Sequence, residues 1–413
     1  MRIIHAADIH LDSPLSGLAA KAGARADEIV GATRRAFSGL VDHAIESAVS
    51  LVLIAGDLYD GDWRDFSTGL FFVAEMARLE RAGIRVALIK GNHDAENLMT
   101  RSLRLPENVK VFRADKPETW LLEDLKVAVH GRSFPRRDVM ENIALSYPDA
   151  VPGYLNIGLL HTAADGKLGH TPYAPCTVAE LVAKGYDYWA LGHVHNRAVL
   201  SEKPWVVFPG NLQGRHANET GAKGATVLTV EDGELLSVEP VTLDVIRWAR
   251  VSVDLSGAVD YDDACSRIRN ALLDAVEDAA GRTLAVRLIL EGRTVAHRSL
   301  AGDPEQTVAD CAALAEQSGG DVWLERIAVE TSEPVAAVAP DGDAIAELLA
   351  AVEDIRNDPE ELNLMRTELA HALTRMPAKV REAAGLKDLD DVALGSVLDG
   401  AAATLRHRLL DKR

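Results

Sequence analysis

Six short apolar runs constrain this chain most: Ile3 to Ala7, Leu51 to Ala55, Val86 to Ile89, Val127 to Val129, Ile157 to Leu160 and Tyr188 to Leu191. Runs this short, with no polar residue at every second position, predict strands buried on both faces. Between them, Arg25 to Val49 and Phe66 to Ala82 carry helical periodicity. Such alternation predicts an α/β layered domain. Ala225 to Val238 reads as a hairpin closing it, because Asp232-Gly233 at its middle suits a two-residue turn with positive φ.

A second unit follows. Arg250 to Leu255, Leu284 to Leu290 and Trp323 to Val329 predict strands, and Asp260 to Ala279 and Pro304 to Ser318 predict helices, together a small α+β domain. Pro334 to Pro340 reads as an extended linker. Beyond it Ile345, Leu348, Leu349, Val352 and Ile355 form one helical stripe, Leu362, Met365, Leu369 and Leu373 another, and Asp390 to Arg413 a further helix. The expected division is 1–245, 246–335 and 336–413, in keeping with roughly 150 residues per domain.

Three scattered cysteines, Cys176, Cys265 and Cys311, exclude a disulfide framework and suit a reducing compartment. No apolar run approaches the roughly 18 residues of a membrane span, and Met1-Arg2 leads into a strand pattern rather than a signal peptide. A cytoplasmic protein with no membrane partner is expected. The net charge of -19 argues against a broad basic surface for nucleic acid. That charge is uneven: residues 1–250 hold 27 basic and 32 acidic side chains, and residues 251–413 hold 17 and 31.

Five of the six apolar runs end in a polar motif, where open α/β sheets build their sites. The motifs are Asp8-Ile9-His10, Gly56-Asp57-Leu58-Tyr59-Asp60, Gly91-Asn92-His93-Asp94, His161, and Gly192-His193-Val194-His195. They offer carboxylate, imidazole and amide donors and no thiolate, a set suited to manganese, iron or zinc. The i, i+2 spacing of Asp8 with His10 and of His193 with His195 would aim each pair the same way from an extended segment.

The ordered set D-x-H, G-D, G-N-H-D, H, G-H-x-H resembles the calcineurin-like metallophosphoesterase superfamily, whose fold is a layered β-sandwich flanked by helices. The resemblance implies two divalent metal ions. Asp8, His10, Asp57 and His195 would hold one, and Asp57, Asn92, His161 and His193 the other, with Asp57 bridging. It also implies that His93 is catalytic, that Asp94 orients its ring, and that a hydroxide activated by both metals attacks the phosphorus directly. Protein phosphatases of the superfamily carry G-D-x-x-D-R-G and G-N-H-E, whereas here Gly61-Asp62 follows Asp60 and the fourth motif ends in Asp94. The stretches Gly185-Tyr186-Asp187-Tyr188-Trp189-Ala190-Leu191-Gly192-His193 and Phe208-Pro209-Gly210-Asn211-Leu212-Gln213-Gly214-Arg215 resemble SbcD-like DNA repair exonucleases, closest to the YhaO type. On that resemblance the small α+β unit is a capping domain, and the helical tail docks an SbcC-like coiled-coil ATPase. A homodimer is compatible with it. Some relatives have His where this chain has Asp60, whose role stays open.

DNA contacts would then be local and sequence-nonspecific. Arg197, Arg215 and the pair Arg136 and Arg137 are candidates, with Arg132, His216 and Lys223 nearby in Gly-rich loops. The bland alternative is that these are ordinary surface charges. His5 reads as a packed core histidine; His130 and His170 are weaker cleft candidates; the cysteines read as small buried apolar groups. The leading expectation is a manganese-dependent DNA exonuclease, with endonuclease action also open. The alternatives are a phosphoesterase for a small phosphodiester or nucleotide, and a scaffold that has lost catalysis; the complete ligand set speaks against the last.

Overall fold

A computed structural model of the chain describes residues 1–13, 31–60, 66–95, 104–166, 173–334 and 344–374, and beyond these 376–377, 381, 386 and 389–410. His170 lies outside the described residues. The chain separates into two compact units, 1–249 with 282–285 and 250–281 with 286–413.

In the first unit the elements run β1 (Arg2–Ala6), α1 (Ala32–Glu46), β2 (Leu51–Ala55), α2 (Phe66–Arg81), β3 (Arg85–Ile89), β4 (Val109–Val111), β5 (Glu118–Leu122) and β6 (Val127–Gly131). They continue with β7 (Leu155–His161), α3 (Val178–Ala183), β8 (Tyr188–Gly192), β9 (Ala198–Glu202), β10 (Trp205–Phe208), β11 (Gly224–Glu231) and β12 (Glu234–Thr242). One six-stranded sheet has the order β12-β11-β1-β2-β3-β4, with β1 to β4 parallel and the β11–β12 hairpin antiparallel at its edge. The other has the order β5-β6-β7-β8-β10-β9, parallel from β6 to β10 with antiparallel edges.

Strand β2 shows why the apolar runs are continuous. Val52 and Ile54 face Phe37 and Leu40 of α1 and Phe72 and Met76 of α2. Leu51, Leu53 and Ala55 face Leu155, Ile157 and Leu159 of β7 and Tyr188 and Ala190 of β8. Both faces are core, and each such side chain contributes about 1.5–3 kcal/mol by leaving water. A third cluster covers the far side of the second sheet, where Trp189, Leu191 and Phe208 meet Phe134, Tyr147 and Leu181. Gly158 in β7 has no Cβ because one would lie 2.3 Å from the Trp189 ring.

The chain continues with β13 (Ile246–Asp254), α4 (Tyr261–Ala279), β14 (Thr283–Arg293), α5 (His297–Gly302), α6 (Pro304–Gln317) and β15 (Val322–Ser332), in a sheet ordered β13-β14-β15. Asp260 and Asp303 cap α4 and α6 by accepting from Asp263 N and Gln306 N. Helices α7 (Ala344–Asn357), α8 (Pro359–Leu373) and α9 (Asp391–Leu410) follow. Leu373 and Leu394 pack with Met365 and Leu369, and α9 lies against α5. The tail helices therefore use their apolar stripes at least partly on their own chain. No helix among the described residues is long and apolar enough to cross a membrane.

Candidate metal centre

Five strand ends of the first unit converge, and the backbone there is tied together before any side chain is considered. Asp8 N donates to Gly56 O, His10 N to Asp57 O and Leu11 N to Leu58 O, so the turns after β1 and β2 run side by side. Asp8, His10, Asp57 and His193 all have positive φ, at 50, 47, 52 and 105°. The expectation of extended i, i+2 pairs is thus corrected: left-handed turns, not strand alternation, aim these side chains. Non-glycine residues seldom hold this conformation, and they persist in it where surrounding contacts over-determine it. Here the contacts are explicit. The Asp8 carboxylate accepts from His193 N at 3.0 and 3.1 Å, and Asp57 Oδ1 accepts from His93 N at 2.9 Å.

The polar atoms meet in a way that calls for a cation. His161 Nδ1–H donates to Ala55 O at 2.9 Å, which leaves the Nε2 lone pair facing Asn92 Oδ1 at 2.9 Å and Asp57 Oδ2 at 3.5 Å. His195 Nδ1–H donates to Glu219 Oε1 at 2.6 Å, so its Nε2 lone pair faces His10 Nε2 at 3.3 Å and Asp8 Oδ1 at 4.0 Å. His10 Nδ1 is buried with no hydrogen-bond partner among the described residues. Three compact donor groups are found among the described residues: Asp8 with His10 and His195, Asp8 with Asp57 and His161, and His10 with Asp60 and His93. Rings of His161 and His193 lie 5.3 Å apart, which brings His193 to the same place. A Cβ on Gly91 would lie 2.2 Å from Asp57 Oδ1, so glycine is required beside the cluster. Acceptors facing acceptors in a buried cradle fit divalent cations of the borderline-to-hard kind.

Electrostatics agree. Burial alone would lower the pKa of His161, yet the Asp57 charge and hydrogen bond push it up to about 9. Burial opposes ionisation of Asp57 too, but the facing His161, with His10 and His93, holds its carboxyl far below the usual range. The negative field that raises the His161 pKa favours any cation at Nε2, and a metal ion would take that place once the nitrogen is unprotonated.

One expected role changes hands. The Asp94 carboxylate does not reach the His93 ring: it is buried and accepts from Leu58 N at 3.0 Å, Tyr59 N at 2.7 Å and Gly91 N at 3.3 Å. Burial and the Asp57 charge push its pKa up to about 6. Asp60 holds the ring instead, with Oδ1 at 2.8 Å from His93 Nδ1, and this pair raises the His93 pKa. Asp60 also accepts from Ser13 Oγ at 2.6 Å.

The arginines sort by position. Arg215 is brought to the centre, its Nη1 3.5 Å from Asp60 Oδ2 and its Nη2 3.6 Å from Glu219 Oε1, while its buried Nε has no acceptor among the described residues. Arg137 is exposed and close enough for its charge to act on His93. Arg136 is exposed and bound to Glu141 at 3.0 Å, Arg132 Nε donates to Ala114 O, and Arg197 is exposed. His216 is exposed beside Glu219. Lys223 corrects an expectation: it is buried, and Nζ donates to His195 O at 2.8 Å and Asn196 Oδ1 at 3.0 Å. Its charge is spent inside the loop. Glu219 escaped sequence reading because its partner is 24 residues away, and only the need of each ligand histidine for a second-nitrogen acceptor pointed to such an acid.

His5 is buried as expected; His130, a weaker cleft candidate, is buried too. His5 Nε2–H donates to Leu191 O at 3.1 Å and Nδ1 accepts from the Tyr188 hydroxyl at 2.9 Å; His130 bonds Thr119 and Asn156.

Residues 1–197 match the calcineurin-like phosphoesterase family, and residues 248–332 match the middle domain of metallophosphoesterase YhaO. The uncharacterized metallophosphoesterase YhaO of Bacillus subtilis (strain 168) is 36% identical over 345 residues, 80% of this chain and 82% of that protein. The DNA double-strand break repair protein Mre11 of Methanopyrus kandleri is 24% identical over 65% of this chain and 62% of its own length. Mre11 of Sulfurisphaera tokodaii is 24% identical over 51% and 56%. Two mixed sheets, strand-end donors and these likenesses define a calcineurin-like metallophosphoesterase, a hydrolase of phosphate esters. Within that class, the chain belongs to the YhaO metallophosphoesterase family.

Proposed function

We propose that this chain is a metal-dependent DNA exonuclease, also capable of endonucleolytic cleavage, that works from duplex ends with 3′ to 5′ polarity in DNA repair. The observation carrying this reading is Arg215: a guanidinium whose buried Nε has no acceptor among the described residues stands beside both the donor cluster and the Asp60–His93 pair, where a backbone phosphate would sit. The likeness to two proteins named for DNA double-strand break repair supports DNA as the phosphodiester.

In this reading Asp8, His10, Asp57 and His195 hold one divalent ion and Asp57, Asn92, His161 and His193 the other, with manganese the preferred metal. When bound, the pair supplies charge at the phosphoryl oxygens and acidifies water. The chain does the rest. Asp60 accepts the proton on His93 Nδ1 and raises the pKa of the ring, which favours the charged imidazole whose Nε2–H can serve the leaving oxygen. Arg215, with Arg137 and Arg197 further out, binds the backbone without reading sequence. Asp94 pins the Gly56–Tyr59 turn to the Gly91 turn, which keeps His93 and Asp57 in register. Residues 1–245 act as the nuclease, 246–335 as a capping domain, and 336–413 as a docking segment for an SbcC-like coiled-coil ATPase in the cytoplasm, with a homodimer as the assembly.

The test is the purified chain with manganese offered linear duplex DNA, a cyclic nucleotide and a model phosphodiester side by side. Degradation of linear DNA that His93→Asn abolishes, with manganese still bound, is expected. Turnover of the small diesters with linear DNA left intact would overturn the nuclease reading in favour of a small-phosphodiester hydrolase.

A further inference from the structure

The loop from Asn211 to Lys223 closes on one residue of the metal centre from two sides. Glu219 is buried, and its Oε1 lies 2.6 Å from His195 Nδ1. Its Oε2 accepts from Asn211 Nδ2 at 2.9 Å and from Arg215 N at 2.7 Å. Asn211 in turn donates to Gln213 O, so the carboxylate is held from behind and cannot swing away without losing several bonds. On the backbone side, buried Lys223 donates from Nζ to His195 O at 2.8 Å. The other ligand rings are held differently: His10 Nδ1 lies 3.9 Å from Asp60 Oδ1, and His161 Nδ1 uses the carbonyl of Ala55.

We propose that Glu219 is a positioning residue of the metal centre. It holds the proton on His195 Nδ1, which commits the Nε2 lone pair to the face shared with His10 and Asp8, while Lys223 fixes the His195 backbone. The competing neighbour explains why a carboxylate is needed. Arg215 Nη2 lies 3.5 Å from the same Nδ1, and a guanidinium can only donate. Without Glu219 the imidazole would place its Nδ1 lone pair toward Arg215 and its proton on Nε2, toward His10, and one ion would lose a ligand. Because Glu219 also accepts from Arg215 N, the residue proposed to bind phosphate and the residue proposed to hold the ion share one carboxylate.

This inference rests on the metal-centre reading above, and the experiment separates the two. Manganese alone is titrated calorimetrically, and by the paramagnetic signal of free ion, into metal-free wild type, Glu219→Gln, Glu219→Ala, His195→Gln and the Glu219→Gln/His195→Gln double variant. Wild type should bind two ions. Glu219→Gln and Glu219→Ala should bind one ion about 10–100-fold more weakly, the range for loss of a ligand's outer partner, with the other ion unchanged. The double variant should bind no more weakly than His195→Gln alone, as expected when one residue acts through the other. Thermal unfolding of the metal-free proteins shows whether each variant folds, and the isosteric Glu219→Gln decides the matter if Glu219→Ala does not. Two ions bound by Glu219→Gln with wild-type affinity would overturn the proposal alone. Wild type binding none would overturn the metal centre and the proposal with it.

Discussion

The Asp60 carboxylate lies 2.8 Å from His93 Nδ1, across a gap of 33 residues, and ties the turn after β2 to the turn after β3. It fixes the ring that the proposed mechanism uses, so Asp60→Asn should lower kcat about 100-fold, within the range for general acid–base groups. KM and manganese stoichiometry should stay near wild type, because Asp60 is outside both proposed ligand sets. Steady-state kinetics on linear DNA, with metal titration alongside, check this; an unchanged kcat would remove His93 from the chemistry.

Asp94 should behave differently. Its carboxylate satisfies three backbone N–H groups in a buried setting, so Asp94→Ala leaves donors that water does not replace. A buried donor left unpaired costs about 1–3 kcal/mol, and a loss of about 2–4 kcal/mol for the set is expected. Urea unfolding of the metal-free protein measures it. Stability equal to wild type would mean that the two turns do not depend on this carboxylate.

The contrast between these two acids marks what was legible in the chain. Strands β1, β2, β3, β7 and β8 could be read because both faces are buried, leaving unbroken apolar runs. The edge strands β4, β5 and β9 could not, since their half-exposed residues mix polar and apolar types. Helix α1 begins at Ala32, later than the pattern from Arg25 suggested, and residues 14–30 lie outside the described residues. The donor residues that converge were all in strand-end motifs, so order along the chain was enough to find them. The residues that orient them were not, because adjacency in sequence misleads: Asp94 follows His93 but turns its carboxylate to Leu58 and Tyr59, while Asp60 and Glu219 reach their histidines through space.

Arg215 and Arg136 give a paired prediction about DNA. Arg215 stands at the centre, and its Nε has no acceptor among the described residues although Asp60 and Glu219 lie near its other nitrogens, whereas Arg136 is exposed and bound to Glu141. Residues 1–250 have a balance of -5 against -14 for residues 251–413, so phosphate contacts depend on a few local cations rather than on a broad field. Arg215→Ala should weaken binding to duplexes of any sequence and reduce the log–log salt slope by about one. Arg136→Ala should change neither by a measurable amount. Fluorescence anisotropy across a salt series, with catalysis blocked by His93→Asn, reads both.

Two buried histidines away from the centre predict how stability follows pH. Burial, with the Arg197 charge adding to it, holds His5 at about 3, and burial also lowers His130. Both are neutral in the fold at pH 7, while the unfolded chain takes up their protons near the ordinary value of about 6.5. The unfolded state then binds more protons below that pH, so stability is full above it and falls as the pH drops toward 3. For His5 alone the loss by pH 5 is about 2 kcal/mol. In urea unfolding of the metal-free proteins at pH 7.5 and pH 5, wild type should lose about 2 kcal/mol more than His5→Gln, which has no proton to gain. An identical pH dependence in the two proteins would mean that His5 is protonated in the fold, against its hydrogen bonds to Tyr188 and Leu191.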